Sequence, residues 1–414
     1  MEKIEDFRRR AKKWLAENMP RLPEHASSEI DFDAPAWDES RTLQRKLFEG
    51  GFAGLCYPRE YGGQGLPKEY QDVFNEECAG YQMPLHLNIT TLSICGPTIL
   101  EMGSDHLKRK HIPSILRGEE VIVQFLSESC GGSDLAGIRT RAERRDDAFI
   151  VNGSKVWTSY AYAADIALCL VRTNWDVPKH RGLTMLIMDV RAKGLRMSPI
   201  RQVNRNTEFC EEFFEDVAVP VENVVGEIDR GWEVAIRLLY HERNAVGGNS
   251  PYSSGITEGP RTDVGQFAPS LSQLLDMAER TGRSRDPYVR ELIGESHILS
   301  TVHEALAKRV GERMRAGAMP EIAGSLIRLF SAISAVRRTD IGLEIAGSCA
   351  TAYDDELGKM FGEGFLMRQT SCLGGGSSEM SRNIISERLL NMPREHAPDK
   401  DLPFKELIKL TAKQ

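Results

Sequence analysis

The spacing of apolar residues changes character twice along the chain, near residue 120 and again near residue 230, and this limits the fold more than any other feature. Up to residue 118 the pattern is helical. Glu69 to Ala79 and Ser93 to Met102 are too long and too poor in alternation for strands. A glycine-rich turn, Pro58 to Gly63, interrupts them. Between 119 and 227 the segments become short, β-branched and aromatic: Val121 to Leu126, Phe149 to Trp157, Ile166 to Arg172, Leu183 to Val190 and Phe213 to Val219. Turn signals at Asp146-Asp147 and Lys193-Gly194 separate them, so this zone is expected to be a mostly antiparallel β-domain. Helical spacing returns over 228–396, and a polar tail, 397–414, follows. Val246 to Ser270, rich in Gly, Ser, Thr and Pro, reads as a long loop or insertion. Helices, a sheet, then helices again make an α+β architecture with domains at 1–118, 119–227 and 228–396, rather than a doubly wound sheet. A chain of 414 residues exceeds what one core organises, in keeping with that division.

Several function classes drop out at once. No GxGxxG follows a strand and no GxxxxGK[ST] occurs, so any nucleotide cofactor is held by other means. A net charge of −7 supplies no general basic face for nucleic acid or a membrane surface, while leaving room for a local patch that takes a phosphorylated ligand. The eight cysteines are scattered singly, without a CxxC pair or a zinc-like His/Cys spacing; no metal site is expected. Free buried thiols point to a reducing compartment, and a cytoplasmic location is the expectation. There is no apolar run of bilayer length and no signal-peptide core; Phe7 to Trp14, basic but flanked by Glu2 and Asp6, reads as a surface helix.

Four segments carry candidate chemistry. Phe125 to Asp134 (FLSESCGGSD) leaves a strand for a loop whose glycines permit close backbone approach. The hydroxyls of Ser127 and Ser133 suit a polar planar ligand there, although the same composition also serves a plain turn. Asn152 to Tyr160 (NGSKVWTSY) places Trp157 beside Thr158 and Ser159. That is either a stacking plane edged by hydroxyls or a half-buried strand tryptophan. In Gly231 to Arg243 (GWEVAIRLLYHER), helical spacing gathers Trp232, Ala235, Ile236, Leu238, Leu239 and Tyr240 into one apolar arc, with Glu233, Arg237 and His241 opposite. Glu242 projects within the arc between Leu238 and Ala235, and Arg243 falls near Trp232. The pair is either a buried structural ion pair or a general base tuned by its apolar setting, with its neighbour. Finally, Cys372 to Arg382 (CLGGGSSEMSR) leads three glycines into Ser377, Ser378 and a helix. Such a start either accepts the edge of an anionic cofactor or is a C-cap followed by an N-cap.

Taken in order, these segments resemble the acyl-CoA dehydrogenase family over nearly the whole chain. Pro58 to Gly63, Ser127 to Asp134, Asn152 to Ser159 and Gly376 to Arg382 are similar to that family's turn ending in GG, its TEPxAGSD, its NGxKxWIT and its GTSEIQR. Phe214 to Gly226 (FEDVAVPVENVVG) resembles its passage from β-domain to C-terminal helices. The resemblance implies an N-terminal helical domain, a central β-domain and a C-terminal helical bundle. It implies FAD held by Phe125, Leu126, Ser127 and Ser133, by Trp157 and Ser159 against the flavin, and by Ser377 and Glu379. Ser133 and Arg243 would also face the CoA substrate. Two departures stand out. Ser129 replaces the loop proline, and Gly375 stands where many members carry the catalytic glutamate. In the branch that includes long-chain, isovaleryl and bacterial steroid side-chain enzymes, the base lies on the helix after the β-domain, directly before an arginine. Glu242-Arg243 matches that position, so Glu242 is the expected base.

The same resemblance bears on activity and assembly. It implies α,β-dehydrogenation of an acyl-CoA thioester to a trans-2-enoyl-CoA, with hydride passing to flavin N5 and electrons then to an electron-transfer flavoprotein. Acyl-CoA oxidases and flavin monooxygenases share the fold and remain alternatives. So does a non-catalytic partner subunit, although Ser127, Trp157 and Glu242 speak against it. The family completes each FAD site across a dimer interface with Arg-x-x-Phe and Gln-x-x-Gly-Gly segments. The first has no clear match within Asn244 to Asp286, and the second reads Glu344-Ile345-Ala346-Gly347-Ser348. A carboxylate beside a pyrophosphate repels it. The expectation is therefore a hetero-oligomer with a related chain, a homo-oligomer being the rival. By analogy with that branch, a helix-borne base together with a glycine at 375 implies a bulky or branched acyl group.

Overall fold

Apolar spacing sets the first helix: Phe7, Ala11 and Leu15 recur at four-residue intervals, and all three are buried. The computed structural model describes residues 2–21, 34–84, 89–246, 250–253, 268–353, 355–397 and 400–411. In the N-terminal part α1 (Ile4–Asn18), α2 (Ala34–Glu49) and α3 (Lys68–Glu77) share one core, and α4 (Gly96–Met102) and α5 (Asp105–Leu116) lead to the sheet. The basic stretch at Phe7 to Trp14 is thus a surface helix, with Arg8 paired to Glu76 and Glu77 of α3. The segment read as one helix from Ser93 begins instead with a π-helical turn, Ile89–Cys95, before α4. Thr91 explains the wider turn: its hydroxyl bonds both the carbonyl (3.2 Å) and the N–H (3.0 Å) of Ile122 on the first strand.

Eight strands form one sheet: β1 (Ile122–Phe125), β2 (Arg141–Arg145), β3 (Ala148–Ser159), β4 (Ile166–Arg172), β5 (Leu183–Asp189), β6 (Leu195–Pro199), β7 (Phe209–Pro220) and β8 (Val224–Val225). The path runs β6-β7-β3-β2-β4-β5-β8, with β1 added parallel to β4 and most other pairings antiparallel. β4 is buried along its whole length because both faces are covered. Ile166, Leu168 and Leu170 meet the helices of one core, while Ala167, Cys169 and Val171 meet the other. β2 (RAERR) and β6 (LRMSP) lack the apolar alternation that reveals a strand; backbone ladders to β3 and β7 define them instead.

α6 (Gly231–Val246) crosses the sheet, and α7 (Leu271–Arg280), α8 (Pro287–Arg315), α9 (Gly324–Ala346), α10 (Ser348–Ala352), α11 (Glu356–Met367) and α12 (Ser378–Ile384) build the C-terminal bundle. Most of the segment read as an insertion, 246–270, lies outside the described residues. Its described part is packed, with Tyr252 4.8 Å from the Tyr57 ring. Nor is 397–414 a plain tail. Residues Phe404–Thr411 form α13, and the N–H groups of Phe404 and Lys405 bond the carbonyls of Val177 and Trp175. The buried Phe404 ring lies 3.7 Å from the Arg172 guanidinium, which is itself buried and donates to the carbonyls of Ala136, Ile138, Lys179 and Arg181. Burial pushes that guanidinium down to about 10.

Two buried polar features hold β3. Lys155 points into the interior, where its ammonium donates to Glu128 and to the Leu126 carbonyl, each at 2.8 Å. Glu212, opposite Lys155 on β7, is buried as well and accepts from Thr158 at 3.0 Å. Burial raises its carboxyl to about 8, against the pull of Thr158 and Lys155. Removing one member of a buried pair strands the other charge, so Lys155→Met should lower stability by about 3–5 kcal/mol, as read by denaturant unfolding. For Glu212 the native carboxyl holds its proton where the unfolded one has lost it, so its contribution to stability falls as pH rises from the unfolded value toward about 8. Glu212→Gln removes that slope. Thermal unfolding at successive pH values should show the variant gaining on the parent across that window and running parallel to it above.

Candidate active site

The position of Glu242 follows from how α6 packs. Val234, Ala235 and Leu238 are buried against the sheet in the core that holds Leu168, Leu170 and Met185. The simple two-faced wheel needs correction at two residues: Ile236 is 49% exposed and His241 only 4% exposed. The cause is a second packing surface. α4 runs beside α6 and presents Glu101, which takes a bidentate bond from Arg237 and lies 3.3 Å from the His241 ring. Burial works against the Glu101 carboxylate, yet Arg237 and His241 hold it below its ordinary value. Burial lowers His241.

One position further on, the Glu242 carboxylate is partly buried and has neighbours from three other segments. Gln124 of β1 donates to Oε2 at 3.2 Å. Cys95, at the end of the π-helical turn, is a buried thiol raised first by burial and then by the Glu242 charge. The glycine-rich loop lies on a third side: a Cβ built on Gly375 would stand 3.9 Å from Glu242 Oε1. Gly375 has φ +65°, a conformation that side chains other than glycine rarely take. Arg328 of α9 fixes this loop by donating to the carbonyls of Ser371 (2.9 Å) and Gly374. Its Nε is buried without a partner among the described residues and would lie 3.6 Å from that same Cβ. Desolvation lowers Arg328, opposed by Cys372 and Glu242. Arg243 is exposed, yet enough protein crowds its head for desolvation to lower it against the pull of Glu242.

A second cluster forms on the sheet. Alternation along β3 would point Trp157 inward with Lys155. A β-bulge between Val156 and Thr158 intervenes, Trp157 takes φ +68°, and its ring turns outward, 57% exposed. Such a backbone costs roughly 1–3 kcal/mol and persists where surrounding structure enforces it. The Val156 N–H bonds the Ser127 carbonyl (2.9 Å), so the FLSES segment lies directly beside the bulge. Phe125 and Leu126 are buried, and Phe125 packs on Phe214 at 5.9 Å. Ser133 is exposed on the loop that follows, next to Asp134, which pairs with Lys179 at 2.9 Å. The Ser159 hydroxyl donates to Glu208 at 3.4 Å. An exposed indole, with Phe209 edge-on at 5.8 Å, offers a face on which a planar ring system such as a flavin could stack.

Ser377 and Glu379 belong to the C-terminal bundle rather than to this sheet cluster. Ser377 caps α12 by accepting from the Met380 N–H at 3.2 Å, and the exposed Glu379 pairs with Arg382 at 3.6 Å. Glu344, in the segment matching the partner-facing motif, is exposed, pairs with Arg337 (3.2 Å) and accepts from the Tyr288 hydroxyl (2.6 Å). Four residues of these clusters escaped the sequence reading. Lys155 and Glu128 left one signal, a lysine at an inward strand position three residues after a turn pair. Gln124 left another, a lone amide in the apolar run IVQF. Arg328 left none, being one of many arginines in an ordinary helix.

Comparison with known proteins bears on the family and the fold. Family profiles described as the N-terminal, middle and C-terminal domains of acyl-CoA dehydrogenase match residues 1–119, 124–217 and 263–390. Acyl-CoA dehydrogenase IpdE1 of Mycobacterium tuberculosis is 30% identical over 408 residues, spanning 95% of this chain and 99% of that protein. The crystal structure of the ChsE4-ChsE5 complex from Mycobacterium tuberculosis aligns with a TM-score of 0.72 at 27% identity, covering 95% of this chain and 98% of the other. A structure titled Tcur3481-Tcur3483 steroid ACAD gives 0.74 at 24% identity, over 95% of this chain and 98% of the other, and so shares the fold. No helix among the described residues is long and apolar enough to cross a membrane. With all three domain profiles matched in order and a full-length relative at 30% identity, this chain belongs to the acyl-CoA dehydrogenase family.

Proposed function

We propose that this enzyme carries out FAD-dependent α,β-dehydrogenation of an acyl-CoA thioester to a trans-2-enoyl-CoA, with Glu242 as the base. The observation that carries the reading is the meeting of Glu242 with Gly375. The carboxylate lies beside the one backbone position where the family resemblance would otherwise put a catalytic side chain, and glycine leaves that space open. Glu242 would take the proton from the substrate α carbon, acidified by the thioester carbonyl. The surrounding apolar wall of α6 would keep water from competing for that proton. Phe125, Leu126, Ser127, Ser133, Trp157, Ser159, Ser377 and Glu379 would hold FAD, and Ser133 and Arg243 would face the CoA portion. When bound, FAD supplies the acceptor for the hydrogen and electron pair that leave the β carbon. Electrons would then pass to an electron-transfer flavoprotein. The open space at Gly375 favours a bulky or branched acyl group, such as a steroid side chain.

Glu242→Gln tests the base directly. The variant should bind FAD as well as the parent, while the bleaching of its visible band by a panel of straight, branched and steroid-side-chain acyl-CoAs under anaerobic conditions drops by at least about a thousandfold. Full bleaching by Glu242→Gln would place the base elsewhere. Oxygen uptake during turnover would instead favour an oxidase.

The assembly proposed is a hetero-oligomer with a related chain. Glu344 supports it, since in the segment that resembles the family's partner-facing motif it puts a carboxylate in place of a neutral amide, and a carboxylate would repel a pyrophosphate. A relative of 27% identity crystallised as a complex of two named chains. Size-exclusion chromatography with light scattering should find this chain alone poorly loaded with flavin, and a two-chain complex loaded after co-expression with a related partner. A stable, fully flavin-loaded homo-oligomer would overturn the hetero-oligomer.

A further inference from the structure

We propose that Gln124 is the positioning residue for Glu242, and that its amide matches the carboxyl in both of its protonation states. The inference rests on Glu242 being the base. β1 reads IVQF; Val123 and Phe125 face one core, while Ile122 and Gln124 point to the side where α6 lies. An amide in that setting is costly unless its polar atoms are bonded. Half of it is: Nε2 donates to Glu242 Oε2 at 3.2 Å. The other half is not: Oε1 is buried and has no hydrogen-bond partner among the described residues. A buried acceptor left over in a native fold asks for an explanation.

The chemistry of the base supplies one. An ionised carboxylate only accepts hydrogen bonds, so it needs the NH₂ edge of Gln124. In the reaction the substrate Cα–H bond breaks and an O–H bond forms on Glu242. The electron pair of the broken bond becomes the new C=C bond, and the β-hydrogen leaves with its own pair to the bound FAD. Glu242 is then a neutral acid and a donor. A half-turn of the Gln124 amide presents Oε1 to that proton, and the leftover acceptor gains its partner. No charge is introduced, so the pair can return to its starting state when the proton leaves. Neither a hydroxyl nor an alkyl side chain at 124 reaches both states from β1. The charged or titratable groups recorded against Glu242 among the described residues are of other kinds. Arg243 on α6 and Arg328 on α9 only donate, and Cys95 on the π-helical turn is a weak donor held protonated by burial.

Difference infrared spectroscopy on the flavin-loaded assembly that contains this chain tests this without a substrate. Subtracting the Glu242→Gln spectrum isolates the carboxyl of residue 242, and a pH titration follows it. In Gln124→Met both bonds are lost. The acid C=O band should shift to the frequency of a carboxyl that donates to nothing. The titration midpoint should rise by about half a unit to one unit, because the bond to the charged form is the stronger of the two. Gln124→Glu is isosteric and keeps an acceptor. Its acid band should stay that of a donating carboxyl while its midpoint rises further, from the like charge. A band and midpoint unchanged in both variants would overturn the role of Gln124, whatever the base is. Should the infrared shifts appear while Glu242→Gln still reduces flavin with acyl-CoA, the contact stands and the assignment of the base falls.

Discussion

An ammonium group in the protein interior needs a carboxylate, and the Lys155–Glu128 bond at 2.8 Å is the contact from which the Trp157 side of this molecule is built. Glu128 does more than neutralise. It also accepts from the backbone N–H groups of Arg139 (2.6 Å) and Thr140 (2.9 Å), so one carboxylate closes the whole FLSESCGGSD loop back onto the start of β2. Burial alone would raise Glu128, but Lys155 and these donors hold it below its ordinary value. Lys155, for its part, ties Leu126 to β3. The loop and the strand are thereby locked in one register, and the bulge two residues later can put Trp157 on the outside without loosening the sheet. The strained tryptophan, at φ +68°, thus sits two residues beyond a strand position that the buried pair fixes.

The proton-handling side is organised by a different constraint. α6 is pinned on two surfaces at once, by apolar packing to the sheet and by the Arg237–Glu101–His241 group to α4. Two contacts on different sides of a helix fix its rotation as well as its position. That rotation decides where Glu242 points, and it points toward Gln124, Cys95 and the glycine loop rather than to solvent. Arg328 completes the arrangement from the far side by holding the loop carbonyls. The two halves meet through β1: Phe125 and Leu126 lead into the FLSESCGGSD loop, and Gln124, one residue earlier, donates to Glu242.

Much of this was legible from spacing alone, and the failures have physical causes. β4 and β5 were found because both faces are buried and the apolar run is continuous. β2 escaped because only Ala142 points inward from RAERR, so backbone pairing defines the strand and side chains barely mark it. A wheel assumes one buried face, and α6 has two, which misplaced Ile236 and His241. From sequence Trp157 stays a pair of alternatives, since the bulge that turns its ring outward is a backbone event with no obligatory residue. The polar composition after residue 396 concealed a helix because a single aromatic, Phe404, does the docking and its partner Arg172 lies more than two hundred residues away. Arg328 is the plainest limit. Its importance comes entirely from what a remote loop places beside it.

Glu242 and Gly375 show why sequence position is a weak guide to a catalytic base. What matters is where the carboxylate oxygens lie, and the 3.9 Å between Glu242 Oε1 and the missing Cβ of Gly375 means that two chain positions, some 130 residues apart, address the same volume. Both cannot be filled at once. Two carboxylates sharing that space would repel each other and one would stay protonated, which disarms it as a base. The volume therefore admits one acid, from α6 or from the loop. Once α6 supplies it, the loop is free to adopt the left-handed backbone that only glycine takes without strain. Arg328 fits the same logic. An arginine that grips two loop carbonyls keeps the loop close enough to wall the base, while the loop itself contributes no side chain that competes with it.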